Sequence, residues 1–322
     1  MSERTKKILL YGVAAPPFFL LSLVLGAYWT FPYDHLRDFI IQEVERGSDL
    51  TLEIGSLSPS WITGVELEDV RISKVPEGQT EPVTMEIPSA SARISLLSLL
   101  GGTVSVSYDV ALAGNGRVEG SYAQNDEATH LIARLENVHL AGLRPLTSSM
   151  RLPISGRAGG TIDMRIGAEA VNTEGNVDLR IENLAIADGQ TPLEIEGLGA
   201  GLTLERLELG TLELRLESER GNGVIRRLHA GGEHAELWGT GSLRLAQPFE
   251  RSTMDLLLRI QFADAYKTSS PRMEGLFALM EINPQVRPAR TSSGGFQWRI
   301  TGGLGGRIRM VPSGNVPMPE AE

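Results

Sequence analysis

The sequence contains no cysteine. That absence excludes disulfides, thiolate metal sites and cysteine nucleophiles together, and it is compatible with any compartment. Aromatic residues are scarce as well: they form 6% of the 322 residues against 36 glycines, so many tight turns and few bulky core anchors are expected. Cations are outnumbered, with 30 Lys and Arg against 40 Asp and Glu, a formal charge of −10. Binding to a phosphate backbone depends on clustered Lys and Arg, so nucleic acid is excluded as an expected partner.

Enzyme signatures are missing too. There is no Gly-x-Ser-x-Gly elbow, no Walker A sequence and no zincin helix, and no catalytic residue or cofactor is expected. The glycine runs Gly197-Leu198-Gly199-Ala200-Gly201 and Gly302-Gly303-Leu304-Gly305-Gly306 each lead into an alternating strand. A phosphate loop leads into a helix N-terminus, so these are expected to be turns and bulges. Of the five histidines only His229 and His234 stand close, in HAGGEH beside Glu233 and Glu236. Their odd spacing sends them to opposite faces if the segment is extended, while a Gly-Gly turn would bring them together with Glu233 or Glu236; surface histidines on a turn are the better reading, so no metal site is expected.

One long apolar run is present. From Ile8 to Trp29 there is no charge, and at about 1.5 Å per helical residue the run reaches roughly 33 Å, enough to cross a hydrocarbon core. Arg4, Lys6 and Lys7 precede it and Asp34 follows, which by the positive-inside rule leaves residues 1–7 in the cytoplasm, residues 8–31 as a single transmembrane helix contacting the lipid bilayer, and the rest exported. Trp29, Phe31 and Tyr33 suit an interfacial belt, and Pro16-Pro17 suits a kink. A cleaved signal peptide is the competing reading, but the run is longer than a usual signal core.

Beyond the run, Leu36, Phe39, Ile40 and Val44 stand at helical spacing, with Gly47 as a stop. The period then changes to two. Leu50, Leu52 and Ile54 alternate with polar residues, a turn is expected at Pro59, and Val65, Leu67, Val70 and Ile72 alternate with a one-residue slip. A further strand ends at Gly114-Asn115-Gly116, which suits a type I′ hairpin turn, and a second Gly-Asn-Gly stands at 221–223. A loose repeat recurs in which a glycine opens an alternating strand: Gly160 before TIDMRI, Gly175 before NVDLRI, Gly210 before TLELRL, Gly241 before SLRLA and Gly306 before RIRM.

Each such phrase puts Leu, Ile and Met on one sheet face and Asp, Glu and Arg on the other. The expectation is a mainly β domain over 32–310: a long antiparallel sheet that curls into a half-pipe or folds into a sandwich, with short helices near 140–150 and 271–280. Residues 311–322, rich in proline, are expected to form a flexible tail. The acidic and basic residues between Glu205 and Arg220 fall opposite Leu212, Leu214 and Leu216 and need only a solvated face. If the apolar face stays open, its lining comprises Val104, Val106, Ile162, Met164, Val177, Leu179, Ile181, Leu212, Leu214, Leu216, Leu243 and Leu245, and phospholipid is a candidate ligand. If it is closed, the same rows bury one another.

The order of these parts resembles a known family. The basic start and apolar run, LTLEIGSLSPSWITGVELEDVRIS at 50–73, MRLPISGRAGGTIDMRI at 150–166, and a closing helix followed by GGFQWRITGGLGGRIRM are similar to the GspN-type proteins of type II secretion systems, within the AsmA-like superfamily. The resemblance spans most of the chain. It implies a bacterial inner-membrane protein with a periplasmic domain, acting as a structural accessory alongside other type II secretion components. AsmA-like relatives imply instead a curved sheet that carries lipid. Neither branch brings catalytic residues.

Overall fold

The computed structural model describes residues 33–61, 63–75, 81–143, 145, 153–190, 192–195, 199–246, 251–303 and 308–318. The transmembrane segment expected over 8–31 lies outside these residues; among the described residues no helix is long and apolar enough to cross a membrane. The chain enters through helix α1 (Tyr33–Gly47). Three strands follow, β1 (Thr51–Ser60), β2 (Gly64–Lys74) and β3 (Val83–Ile94), and then a five-residue helix α2 (Leu96–Leu100). The meander continues as β4 (Val104–Leu112), β5 (Gly116–Gln124), β6 (Ala128–His139), β7 (Ile154–Gly167) and β8 (Glu174–Ile186). A small hairpin, β9 (Pro192–Ile195) and β10 (Gly199–Thr203), interrupts it before β11 (Leu207–Glu219), β12 (Asn222–Gly231), β13 (Ala235–Arg244) and β14 (Thr253–Phe262). Helices α3 (Asp264–Lys267) and α4 (Pro271–Ile282) precede the last strands, β15 (Phe296–Gly303) and β16 (Ile308–Pro312).

Fourteen of these strands form one antiparallel sheet in which sequence neighbours are spatial neighbours, apart from the step from β8 to β11 over the small hairpin. The first and last strands, β1 and β16, do not pair, so the sheet is open. The sandwich alternative does not occur. Among the described residues the fourteen strands form a single sheet and the other pairing is the two-stranded β9–β10 hairpin, whereas a sandwich needs two stacked sheets.

Local chemistry explains the departures from the sequence pattern. Pro59 does not make the turn: it is paired with Val65 inside β1, and the turn follows at Trp61. Proline is tolerated there because β1 is an edge strand, whose outward N–H groups need no partner. The expected slip between Leu67 and Val70 is not a bulge: the register runs unbroken, with Glu68 opposite Ser56 and Val70 opposite Ile54, and the local departure is the left-handed Asp69 at φ +53°. In the two Gly-Asn-Gly segments the left-handed residues are Gly114 and Asn115 in the first, and Arg220 and Gly221 in the second. The first turn therefore sits one residue, and the second two residues, earlier than its Asn-Gly step would put it. Of the helix expected over 140–150, the described residues show a 3-10 turn at Leu140–Leu143 and a helical Pro145, and the rest lies outside them; α4 starts at Pro271 behind the Ser270 cap, whose hydroxyl accepts the Met273 N–H at 3.3 Å. Val311 and Pro312, assigned to the tail on composition, belong to β16.

Because successive strands alternate in direction, the sheet has two distinct strand ends. One carries α1, the Leu140–Leu143 turn, β9–β10 and α3–α4; the clusters that α1 and α4 cover sit there. Ile40, Ile41 and Val44 of α1 cover Leu52, Ile54, Val70, Met85 and Ile87. Met273, Leu276 and Phe277 of α4 cover Leu207, Leu209, Ala230 and Phe296. The other end carries the turns after β1, β5, β7 and β11 together with α2.

Candidate functional site

The register makes the two faces explicit. Across the middle strands Val118 stands opposite Leu135, which stands opposite Gly160, then Leu179, Leu214 and Leu228. One row nearer the open end run Ala133, Ile162, Val177, Leu216 and Ile225. All twelve residues proposed as lining lie on this face by strand parity or, for Leu245, directly beyond β13. Met164, Leu216 and Leu245 are buried, Val104 is exposed, and the remaining eight are half-buried. Half-burial fits a single layer, in which neighbours along and across the strands shield each side chain laterally.

The opposite face is wet and charged. Arg180 Nη1 donates to Glu213 at 3.0 Å, Arg227 Nε lies 2.6 Å from the other Glu213 oxygen, and Arg215 reaches Asp178 at 3.2 Å. Arg117 forks onto Asp109, with Nε to Oδ1 at 2.8 Å, and Arg299 onto Asp255 at 2.7 Å. The guanidinium in each case holds the carboxyl below the ordinary aspartate range, chiefly by hydrogen bonding. These pairs are exposed to solvent and contribute little stability individually. A cleft of about 580 Å³ beside this face includes His130 and Asp163, which are 2.8 Å apart.

The histidines of HAGGEH separate as their spacing requires. His229 lies on β12 against the Trp238 ring, at 5.9 Å between centroids, while His234 sits in the following turn stacked on Tyr266 at 4.9 Å. His234 and Glu233 meet a third group, Glu208, that the sequence placed far away. The His234 Nδ1 is already engaged by the local backbone, 3.1 Å from the Glu208 N–H and 3.0 Å from the Arg206 carbonyl. Glu208 in turn pairs with Arg206 at 3.3 Å. These contacts account for the cluster as turn structure.

Glu205 fastens the α3–α4 cap to the sheet. Its carboxylate accepts from Ser270 at 2.5 Å and from Ser269 at 2.9 Å, and its carbonyl accepts the Tyr266 hydroxyl at 2.7 Å. The two serine hydroxyls lower the Glu205 pKa from its ordinary 4.5, and burial pushes Tyr266 up to about 12. A carboxyl depressed in the folded state contributes stability above its unfolded pKa, and that contribution is lost as pH falls through the folded value. Glu205→Gln is therefore expected to lower the urea midpoint at neutral pH, with the gap to wild type closing below about pH 4. A gap that stayed constant from pH 7 to pH 3 would show that the charge is irrelevant.

Compared with protein-family models, curated proteins and solved structures, the chain matches none of them.

Proposed function

We propose that this chain is a lipid-binding protein of the bacterial envelope, holding acyl chains on the apolar face of its open sheet. The observation that carries this reading is the single-layer apolar face: among the described residues no second sheet covers it, and Val106, Ile162, Val177, Leu179, Leu214 and Leu243 stay half-buried with no part in either buried cluster. An apolar band left partly open to solvent suits a surface that meets a partner. Acyl chains suit it because the band has no polar rim of its own, the charged groups lying on the opposite face. Burying an acyl chain is worth about 0.8 kcal/mol per methylene, so a sixteen-carbon chain gains on the order of 10 kcal/mol before ordering costs. In this reading the sheet curls into a half-pipe around the chain, and residues 8–31 anchor the protein in the inner membrane with the sheet in the periplasm.

The test is extraction of the full chain, purified in a mild detergent and washed free of bulk lipid, followed by mass spectrometry of the extract. Phospholipid at about one or more molecules per chain is the expected result. A folded protein that stays lipid-free after incubation with membranes would remove the support for this reading.

A second reading rests on the sheet edges. Among the described residues no strand pairs with the outer side of β1 or of β16, and an added strand extends the sheet at either. That suits a structural accessory of type II secretion, the role implied by the sequence resemblance.

A further inference from the structure

Helix α2 is not explained by the packing of the molecule: none of its five residues is buried. Its hold is local. The Ser95 hydroxyl accepts the Ser98 N–H at 3.3 Å and lies 2.9 Å from the Ser98 hydroxyl, while the Gly101 N–H closes the other end on the Leu97 and Ser98 carbonyls. With 3.6 residues per turn, Leu96, Leu97, Leu99 and Leu100 share one side and Ser98 takes the other. The leucine side faces solvent, with Leu97 83% and Leu100 87% exposed. This is the reverse of an ordinary surface helix, whose apolar stripe faces the core.

The neighbouring β1–β2 turn adds to the same patch. The Ile94 N–H donates to the Thr63 carbonyl at 3.1 Å, which sets that turn beside the entry to α2, and Trp61 stands 77% exposed in it. Ile94 and Val104, on either side of the helix, are exposed as well. No charged residue occurs between Arg93 and Asp109. The patch lies at the strand end that α1 and α4 leave uncovered, and Val104 and Val106 connect it to the open apolar face.

We propose that this tip docks on a lipid bilayer, with Leu97 and Leu100 entering the edge of the hydrocarbon and Trp61 lying in the interfacial layer. A protein partner would be recognised through a polar rim and matched charge around an apolar centre. A charge-free helix turned outward, flanked by an indole, matches the chemistry of a membrane interface instead. Docking does not require an acyl chain on the sheet face, so either proposal can fail without the other.

The test uses the full chain carried in nanodiscs and mixed with protein-free vesicles of phosphatidylethanolamine and phosphatidylglycerol. Wild type is expected to float with the vesicles, the double variant Leu97→Asp, Leu100→Asp about tenfold less, and Leu97→Met, Leu100→Met as wild type does. Because no α2 side chain is buried, both variants should keep the wild-type circular dichroism spectrum. Vesicles of brominated lipid should also quench a share of the emission that Trp61→Phe removes. Wild type that ignores the vesicles, an aspartate variant that floats equally well, or capture only by vesicles carrying membrane proteins would each overturn the proposal.

Discussion

Leu179→Asp together with Leu214→Asp is expected to reduce the phospholipid that accompanies the protein by about a hundredfold, while the sheet still forms. The two residues stand opposite each other in the β8–β11 register, on the apolar face and away from both buried clusters. Each is half-buried, so its outer surface is the part offered to a ligand. Losing that apolar contact is worth up to about 1.5–3 kcal/mol per leucine, and roughly 1.4 kcal/mol corresponds to tenfold in affinity. Two comparisons isolate the effect. Leu179→Met with Leu214→Met keeps the face apolar and should keep the lipid. Glu213→Gln alters the wet face, where that carboxylate meets Arg180 and Arg227, and should leave lipid content unchanged. A folded aspartate double variant with a full lipid load would place the lipid elsewhere and end the proposal for this face.

Gly160→Ala should destabilise the protein by about 4 kcal/mol, a large share of the roughly 5–15 kcal/mol that ordinarily holds a domain folded. The φ of Gly160 is +140°, where an L side chain is strained, and a Cβ there would lie 2.1 Å from the Asp178 carbonyl oxygen and 2.9 Å from the Leu179 Cα. Both obstacles are backbone of the paired strand β8, so they yield only if β7 and β8 separate. Urea unfolding read at neutral pH is the measurement; a midpoint equal to wild type would mean the strand can relax without loss. The same reasoning covers Gly175 and Gly241, at φ +152° and +148°, where an added Cβ would meet a carbonyl oxygen at 2.2 Å in each case.

Those glycines show how much of the fold the sequence discloses. As text, Gly160, Gly175, Gly210 and Gly241 are openings of a loose repeat; in the structure all four have positive φ and would bring a Cβ within about 2.2 Å of a backbone oxygen. The repeat was legible, its cause was not, because the obstructing carbonyl belongs to a different strand. The His234 cluster is a parallel case. Glu233 is its chain neighbour, but Glu208 reaches it only through the placement of β11 beside the β12–β13 turn. Pro59 marks the reverse error: proline suggested a turn, and the edge position of β1 removed the need for one.

By itself the sequence determined the strand-dominated character, the meander order and the division into an oily and a wet face. These follow from local rules: a period of two fixes which side chains share a face, and short turns join consecutive antiparallel strands. Only the tertiary structure decided that the strands form one open sheet, that α1 and α4 pack on parts of its apolar face and leave residues such as Leu179 and Leu214 half-buried, and that α2 turns its leucines outward. Those outcomes depend on which elements are left to cover the sheet. An identical row of Leu, Ile and Val fits a closed core or an open surface equally well, and the choice is made by the helices, α1 and α4, that reach only part of it.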